Sequence, residues 1–238
     1  MRRLRYPVVA GIISLLVLTA GLAAAADEAS ILVGRVATPP VLDGRLDDAA
    51  WGNAALMTPF LLNDGASLAS QQTEVLACYD AEALYLGFRC WERSLEPMTQ
   101  QLHLVKAEAT EHDGAVFGDE SVEIFVQPGA SGTYYQLAAN MIGTRYESVG
   151  MDSSFDADWR TAASADTRSW YLEMAIPFAA FGAQTPAAGQ QWGFNICRNQ
   201  NPNNESSTWS GLRGGFHSPE QFGRLVFSDT SAQVRLSD

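Results

Sequence analysis

The chain is poor in basic charge: 15 Lys and Arg stand against 27 Asp and Glu, a formal net charge of −12. Three of those bases, Arg2, Arg3 and Arg5, lie at the N-terminus, so residues 27–238 hold 12 bases against 27 acids, a net of −15. A surface this acidic repels phosphate backbones and carries no basic stripe, which argues against a nucleic-acid partner. Cysteine is scarce, with Cys78, Cys90 and Cys197 the only three. Neither CxxC nor CxxCH occurs, so neither a thioredoxin-like centre nor c-type haem attachment is indicated. A Ser–His–Asp order, a Walker loop and a zinc signature are also missing. Beyond residue 26 no stretch is long and apolar enough to span a bilayer, and helical periodicity is sparse.

What is present begins with a leader. Arg2, Arg3 and Arg5 precede an apolar run from Val8 to Leu22, and Ala24-Ala25-Ala26 supplies a small-residue cleavage site before Asp27-Glu28. This is the pattern of a secretory signal peptide, so residues 1–26 are expected to be removed and the mature protein exported, to the periplasm or beyond. Export permits oxidation of one cysteine pair. Cys90 and Cys197 both sit late in predicted strands and can pair; three buried thiols are the alternative. Cys78 and Cys90 lie at unequal offsets from a hairpin turn at Asp80-Ala81-Glu82, so they are not expected to face each other.

Residues 27–238 read as one all-β domain, an antiparallel, jelly-roll-like β-sandwich with few helical turns. Strands are expected over Ile31–Val36, Thr73–Tyr79, Ala83–Trp91, Ser121–Gln127, Thr133–Met141, Arg145–Val149, Trp159–Ala163, Trp170–Ile176, Gln191–Arg198 and Gly223–Phe227. Helical turns are expected near Asp47–Trp51 and Pro177–Phe181. Glu92–Val116 and Asn199–Ser207 read as long loops, a class that often carries function.

Period-two alternation assigns faces. Val122, Ile124 and Val126 share one side of their strand, Glu123 and Phe125 the other. Tyr135, Leu137, Ala139 and Met141 oppose Tyr134, Gln136, Ala138 and Asn140. If these two strands pair, Glu123, Gln136 and Asn140 line one polar surface. Phe117 stands at the lip of the first strand, and Trp209 stands at the edge of a Gly-rich loop before the last strand. Two aromatic planes with carboxylate and amide groups between them suit a sugar, which offers flat C–H faces and polar hydroxyl edges. Trp51, Trp170 and Trp192 lie in apolar runs and are assigned to the core.

Seven segments in order carry a family resemblance: Val41–Trp51, Thr73–Asp80, Leu84–Phe88, Asp119–Phe125, Trp170–Pro177, Gly193–Ile196 and Phe222–Leu225. Together they resemble the family 9 carbohydrate-binding modules and the family-9-like domains of bacterial exported proteins, over roughly Val33 to Phe227. The resemblance implies a β-sandwich that grips a mono- or oligosaccharide between Phe117 and Trp209, with Glu123 accepting sugar hydroxyls. Gln136, Asn140 and Arg198 are the further expected hydrogen-bonding residues. Ala138 departs from the pattern, standing where a sugar-binding member carries an arginine, and Phe117 stands where the larger Trp is usual. The resemblance also implies structural calcium, for which Asp152, Asp156 and Asp158 are the candidate oxygen ligands.

Other chemistries have less support. His103, Glu108 and His112 could form a metal cluster, though their segment shows no helical period. A b-type haem between a Met and a His would draw on Met141, Met151, His103 and His112, by fold-level analogy alone. A protein-interaction or surface module is the third reading. Glycoside hydrolysis needs two carboxylates flanking one bond, and nothing marks Glu123 and Glu173 as such a pair.

Overall fold

Strands whose alternate residues are apolar bury one face and expose the other. The computed structural model describes residues 28–92, 107–129 and 132–230, and thirteen strands run through them. They are β1 (Ser30–Arg35), β2 (Ala55–Met57), β3 (Leu61–Leu62), β4 (Thr73–Tyr79), β5 (Ala83–Trp91), β6 (Ser121–Gln127), β7 (Tyr135–Asn140), β8 (Arg145–Val149), β9 (Arg160–Ala165), β10 (Ser169–Pro177), β11 (Gln191–Gln200), β12 (Glu205–Thr208) and β13 (Gly223–Ser228). The leader at residues 1–26 lies outside the described residues.

The hydrogen-bonded order is β8-β7-β6-β11-β13-β1-β4-β5-β10-β9. β1 joins the two halves of this path, pairing with β13 through Ser30–Gly34 and with β4 through Gly34 and Arg35. Both pairings are parallel, the one departure from the antiparallel expectation. The halves close as a sandwich around one core. Val75, Leu86, Phe88, Leu172 and Met174 from β4, β5 and β10 meet Val122, Ile124, Leu137, Phe194 and Phe227 from β6, β7, β11 and β13. Each such side chain contributes about 1.5–3 kcal/mol by leaving water. Trp170 and Trp192 belong to this core, and Trp51 to a smaller cluster on the outer face of β4, β5 and β10.

Among the described residues the helical content is a few 3-10 turns, including Trp51–Asn53 and Phe178–Phe181, near the two expected turns. β2, β3 and β12 are short strands that the sequence pattern does not reveal. β12 begins inside the stretch read as a loop, where Ser206 and Ser207 offer no apolar alternation. All three cysteines are buried free thiols, so the Cys90–Cys197 pairing is not formed. Burial pushes the Cys78 and Cys90 thiols up to about 12, far from thiolate reactivity.

Candidate functional site

The outer face of β6, β7 and β8 carries the site. Register places Phe125 opposite Gln136 and Gln136 opposite Ser148; one step along, Glu123 faces Ala138 and Ala138 faces Tyr146. These side chains share a face because β6, β7 and β8 alternate, and the inward set is spent on the core. A hydrogen-bond chain crosses four strands. Ser148 Oγ donates to Gln136 Oε1 at 2.9 Å, Gln136 Nε2 donates to Glu123 Oε2 at 2.6 Å, and Asn199 Nδ2 donates to Glu123 Oε1 at 2.7 Å. Glu123 is only 5% exposed, and burial raises its carboxyl pKa against the opposing pull of the two amides.

Aromatics stand on two sides of this row. Phe117, in a 3-10 turn whose Val116 is buried, meets Tyr146 edge-on at 4.8 Å between centroids. Across the row, the Gly-rich loop before β13 brings Phe216 and His217 against Phe125 at 6.4 and 5.2 Å. Tyr134 Oη and His217 Nδ1 share a hydrogen bond of 3.0 Å, which steadies that wall. Burial lowers the His217 pKa. Between the walls lies an open groove of about 340 Å³ lined by Phe117, Glu123, Gln136, Tyr146, Ser148, Gly150, Met151, Phe216 and His217. Such a groove can stack a flat apolar ring face while Glu123 and the amides address polar edges.

The expected site residues divide three ways. Phe117, Glu123 and Gln136 come together in this groove. Asn140 shares the outer face but is fully buried, donating to Ala109 O and Asp119 Oδ2 at 2.8 Å each. Asp119 in turn accepts the Glu108 and Ala109 amides, so Asn140 holds the segment that presents Phe117 instead of meeting a ligand. Arg198 and Trp209 do not line this groove. Arg198 pairs with Val122 and points into the sandwich, fully buried, where it meets Glu92 and Glu120. Trp209 lies opposite Ile196, a core residue, because Thr208 pairs with Cys197 and the chain alternates. It packs on Phe194 at 6.2 Å, and only a glycine at 223 leaves it room, since a Cβ there would stand 2.9 Å from Trp209 Cζ3.

Phe216, His217, Tyr146 and Ser148 line the groove beyond the residues expected from the sequence. Period two along Arg145–Val149 would have placed Tyr146 and Ser148 beside Gln136. Phe216 and His217 follow Gly214-Gly215, a signal equal in strength to the one that favoured Trp209. Ala138 is fully buried between Glu123 and Tyr146 in register, so the space for a long side chain is already filled there.

Among the described residues the three candidate calcium ligands do not come together. Asp152, Asp156 and Asp158 are exposed, and their carboxylates do not gather; Asp152 Oδ1 is taken by the amide and hydroxyl of Ser154. These residues do not fit a calcium site. His103 lies outside the described residues, and among those described the one close grouping is His112, Asp113 and Glu147. Glu147 already accepts from Trp159 Nε1 and Ala157 N, with His112 Nε2 at 2.9 Å. Met151 is 79% exposed at the groove rim, and Met141 packs on the core. Glu123 and Glu173 sit on the outer faces of opposite sheets, so they do not flank one bond. No helix among the described residues is long and apolar enough to cross a membrane.

Residues 42–230 match the family described as Carbohydrate family 9 binding domain-like. No curated protein matches the chain. A candidate carbohydrate-binding protein from Bacteroides uniformis superposes with a TM-score of 0.64 at 21% identity, over 84% of this chain and 100% of that one. A family 9 carbohydrate-binding module from Caldicellulosiruptor kristjanssonii, solved with glucose, gives 0.61 at 15% identity over 87% and 100%. The same organism's module solved with cellotriose gives 0.60 at 15% identity over 88% and 99%. At these identities the likeness establishes the β-sandwich.

Proposed function

Because the chain belongs to the Carbohydrate family 9 binding domain-like family, we propose that it is an exported, non-catalytic carbohydrate-binding module whose groove between Phe117 and Phe216 takes a sugar. One observation carries this reading. A buried carboxylate, held by two amides, lies between two aromatic walls on an open face of the sheet. Glu123 has lone pairs beyond the two that Gln136 and Asn199 use, and these accept hydroxyls from a ring stacked on Phe117 or Phe216. The structural relatives solved with glucose and cellotriose favour a gluco-configured ligand. Stacking supplies about 1–3 kcal/mol per ring, by analogy with other aromatic platforms, so affinity is modest. A module of this strength serves polysaccharide catabolism by holding a sugar chain for a separate enzyme.

Calorimetry with glucose and cellotriose, backed by a glycan array, tests the reading. Saturable binding to at least one neutral sugar is expected; no heat with either sugar and a blank array overturn it. Export rests on the leader, and mass spectrometry of exported protein is expected to show a start at or near Asp27. An intact leader on that protein overturns cleavage.

A further inference from the structure

The opposite sheet carries a second groove that the first reading does not use. Its outer face, formed by β4, β5 and β10, is crossed by the segment that leads into β2. Glu173 on β10 fixes that crossing: its carboxylate accepts the Asp43 and Gly44 amides at 2.8 Å each and Trp51 Nε1 at 2.9 Å. Ser164 Oγ donates to Gly44 O at 2.6 Å. Gly44 has φ of +84°, and a Cβ there would stand 2.8 Å from the Ala163 carbonyl carbon, so only glycine allows so close a crossing. The loop is thereby locked with Arg45, Leu46 and Asp47 as one wall of a groove of about 390 Å³.

The floor is apolar, from Leu56 and Leu76, and the far wall is polar and built. Arg89 and Glu74 are register partners on β5 and β4, with Nη1 and Oε2 3.8 Å apart, longer than a closed hydrogen-bonded pair. The guanidinium carbon lies 3.9 Å from the centre of the Trp91 ring and 6.0 Å from that of Tyr171. Tyr171 is itself anchored, donating its hydroxyl to Asp166 Oδ2 at 2.9 Å. Ring contact thus orients the arginine fork beside a carboxylate that it does not fully engage. A pair of adjacent hydroxyls matches this spacing: one oxygen accepts from the guanidinium while its neighbour donates to Glu74, and the C–H face lies on the leucines. Arg45 and Asp47 on the near wall balance each other, as Arg89 and Glu74 do on the far wall, so the groove itself selects for no charge.

We propose that the Arg89–Glu74 groove is a second, independent site for one neutral sugar residue, making the domain bivalent across its two outer faces. The choice of a sugar rests on the reading of the first groove; the groove and its polar wall rest on geometry alone.

Amide-resolved NMR titration of the purified chain with glucose and cellotriose tests it, alongside calorimetric stoichiometry. Two separate sets of shifts are expected, one around Gln136 and Ser148 and one around Leu76 and Tyr171. Arg89→Gln is expected to weaken the second set about tenfold, the loss of a charged hydrogen-bonding partner, and leave the first unchanged. Leu56→Trp fills the second groove without touching the arginine, and is expected to abolish the same set should Arg89→Gln not fold. Phe216→Ala is expected to do the reverse, removing the first set and leaving the second, while a wild-type chain that shows only the second set would sink the first reading and leave this one standing. Unshifted Leu76 and Tyr171 amides at saturating sugar overturn the proposal, as does a response there to glucuronate but to no neutral sugar.

Discussion

The Gln136 amide meets the Glu123 carboxylate at 2.6 Å, and Asn199 approaches the other oxygen at 2.7 Å. A carboxylate held so closely on both oxygens has one position and one orientation, which is what a ligand hydroxyl requires of its acceptor. Glu123→Gln replaces an ionised acceptor with a half-donating amide that also opposes the Gln136 and Asn199 donors. Sugar affinity is expected to fall about tenfold, since hydrogen bonds to charged groups contribute about 1.5–3 kcal/mol. The variant is also expected to lose about 1–3 kcal/mol of stability, the cost of a buried donor left without an acceptor. Unchanged affinity in calorimetry would remove Glu123 from the site.

The aromatics separate binding from folding. Phe117 is 38% exposed and Phe216 lines the groove, so alanine at either is expected to remove stacking area and lower sugar affinity by about tenfold or more, with a small loss of stability. Trp209→Ala is expected to do the opposite. Its half-buried ring packs on Phe194 over Gly223, and the change should cost stability, though less than the ~3–5 kcal/mol of an aromatic lost from a full core. Chemical denaturation paired with calorimetry checks both. A stable Trp209→Ala variant that no longer binds sugar would return Trp209 to the site.

These contrasts show what the sequence could and could not tell. Alternation along Ser121–Gln127 and Thr133–Met141 was enough to put Glu123 and Gln136 on one outer face, because each strand spends its other face on the core. It failed for Arg198 for the same physical reason. Arg198 continues the inward set of Phe194 and Ile196, and only the partners Glu92 and Glu120, distant in sequence, make a buried arginine tolerable there. The aromatic of the second wall was a matter of one short strand. With β12 unseen, Trp209 reads as a loop residue; with β12 paired to β11, parity turns it inward and leaves the wall to Phe216. The parallel pairing of β1 with β13 joins residues almost two hundred positions apart, which no local pattern encodes.

Arg198 supplies its own test. Its guanidinium donates to Glu92 and Glu120 and to the Trp91 and Gln72 carbonyls, and its central carbon stands 5.8 Å from the Trp170 ring centre. Arg198→Met leaves two buried glutamates without their cation and is expected to cost about 3–5 kcal/mol. Any protein that still folds should bind sugar with wild-type affinity. A stable variant with weakened binding would mean that Arg198 reaches the ligand.

The same cluster sets the pH response of stability. Burial raises the Glu120 carboxyl from an ordinary 4.5 to about 8, with Arg198 opposing and Glu92 adding to the rise. Burial also raises Glu123, against Asn199 and Gln136, and Glu173, against Trp51 and the Asp43 and Gly44 amides. A carboxyl raised on folding holds its proton more tightly in the fold than in the unfolded chain. Its contribution to stability is therefore whole below about pH 4.5 and is lost as pH climbs through the folded value near 8. Asp64, Asp152 and Asp166 shift the other way through their hydrogen bonds, but they titrate below that window. Protonated, Glu120 adds no charge beside Arg198; above pH 8 it adds a buried negative one. Thermal melts are thus expected to show the midpoint falling steadily from pH 5 to pH 8. Glu120→Gln, which fixes the neutral form, should flatten most of that slope. A midpoint that rises across the same range, or a slope unchanged in Glu120→Gln, would mean that Arg198 holds Glu120 ionised.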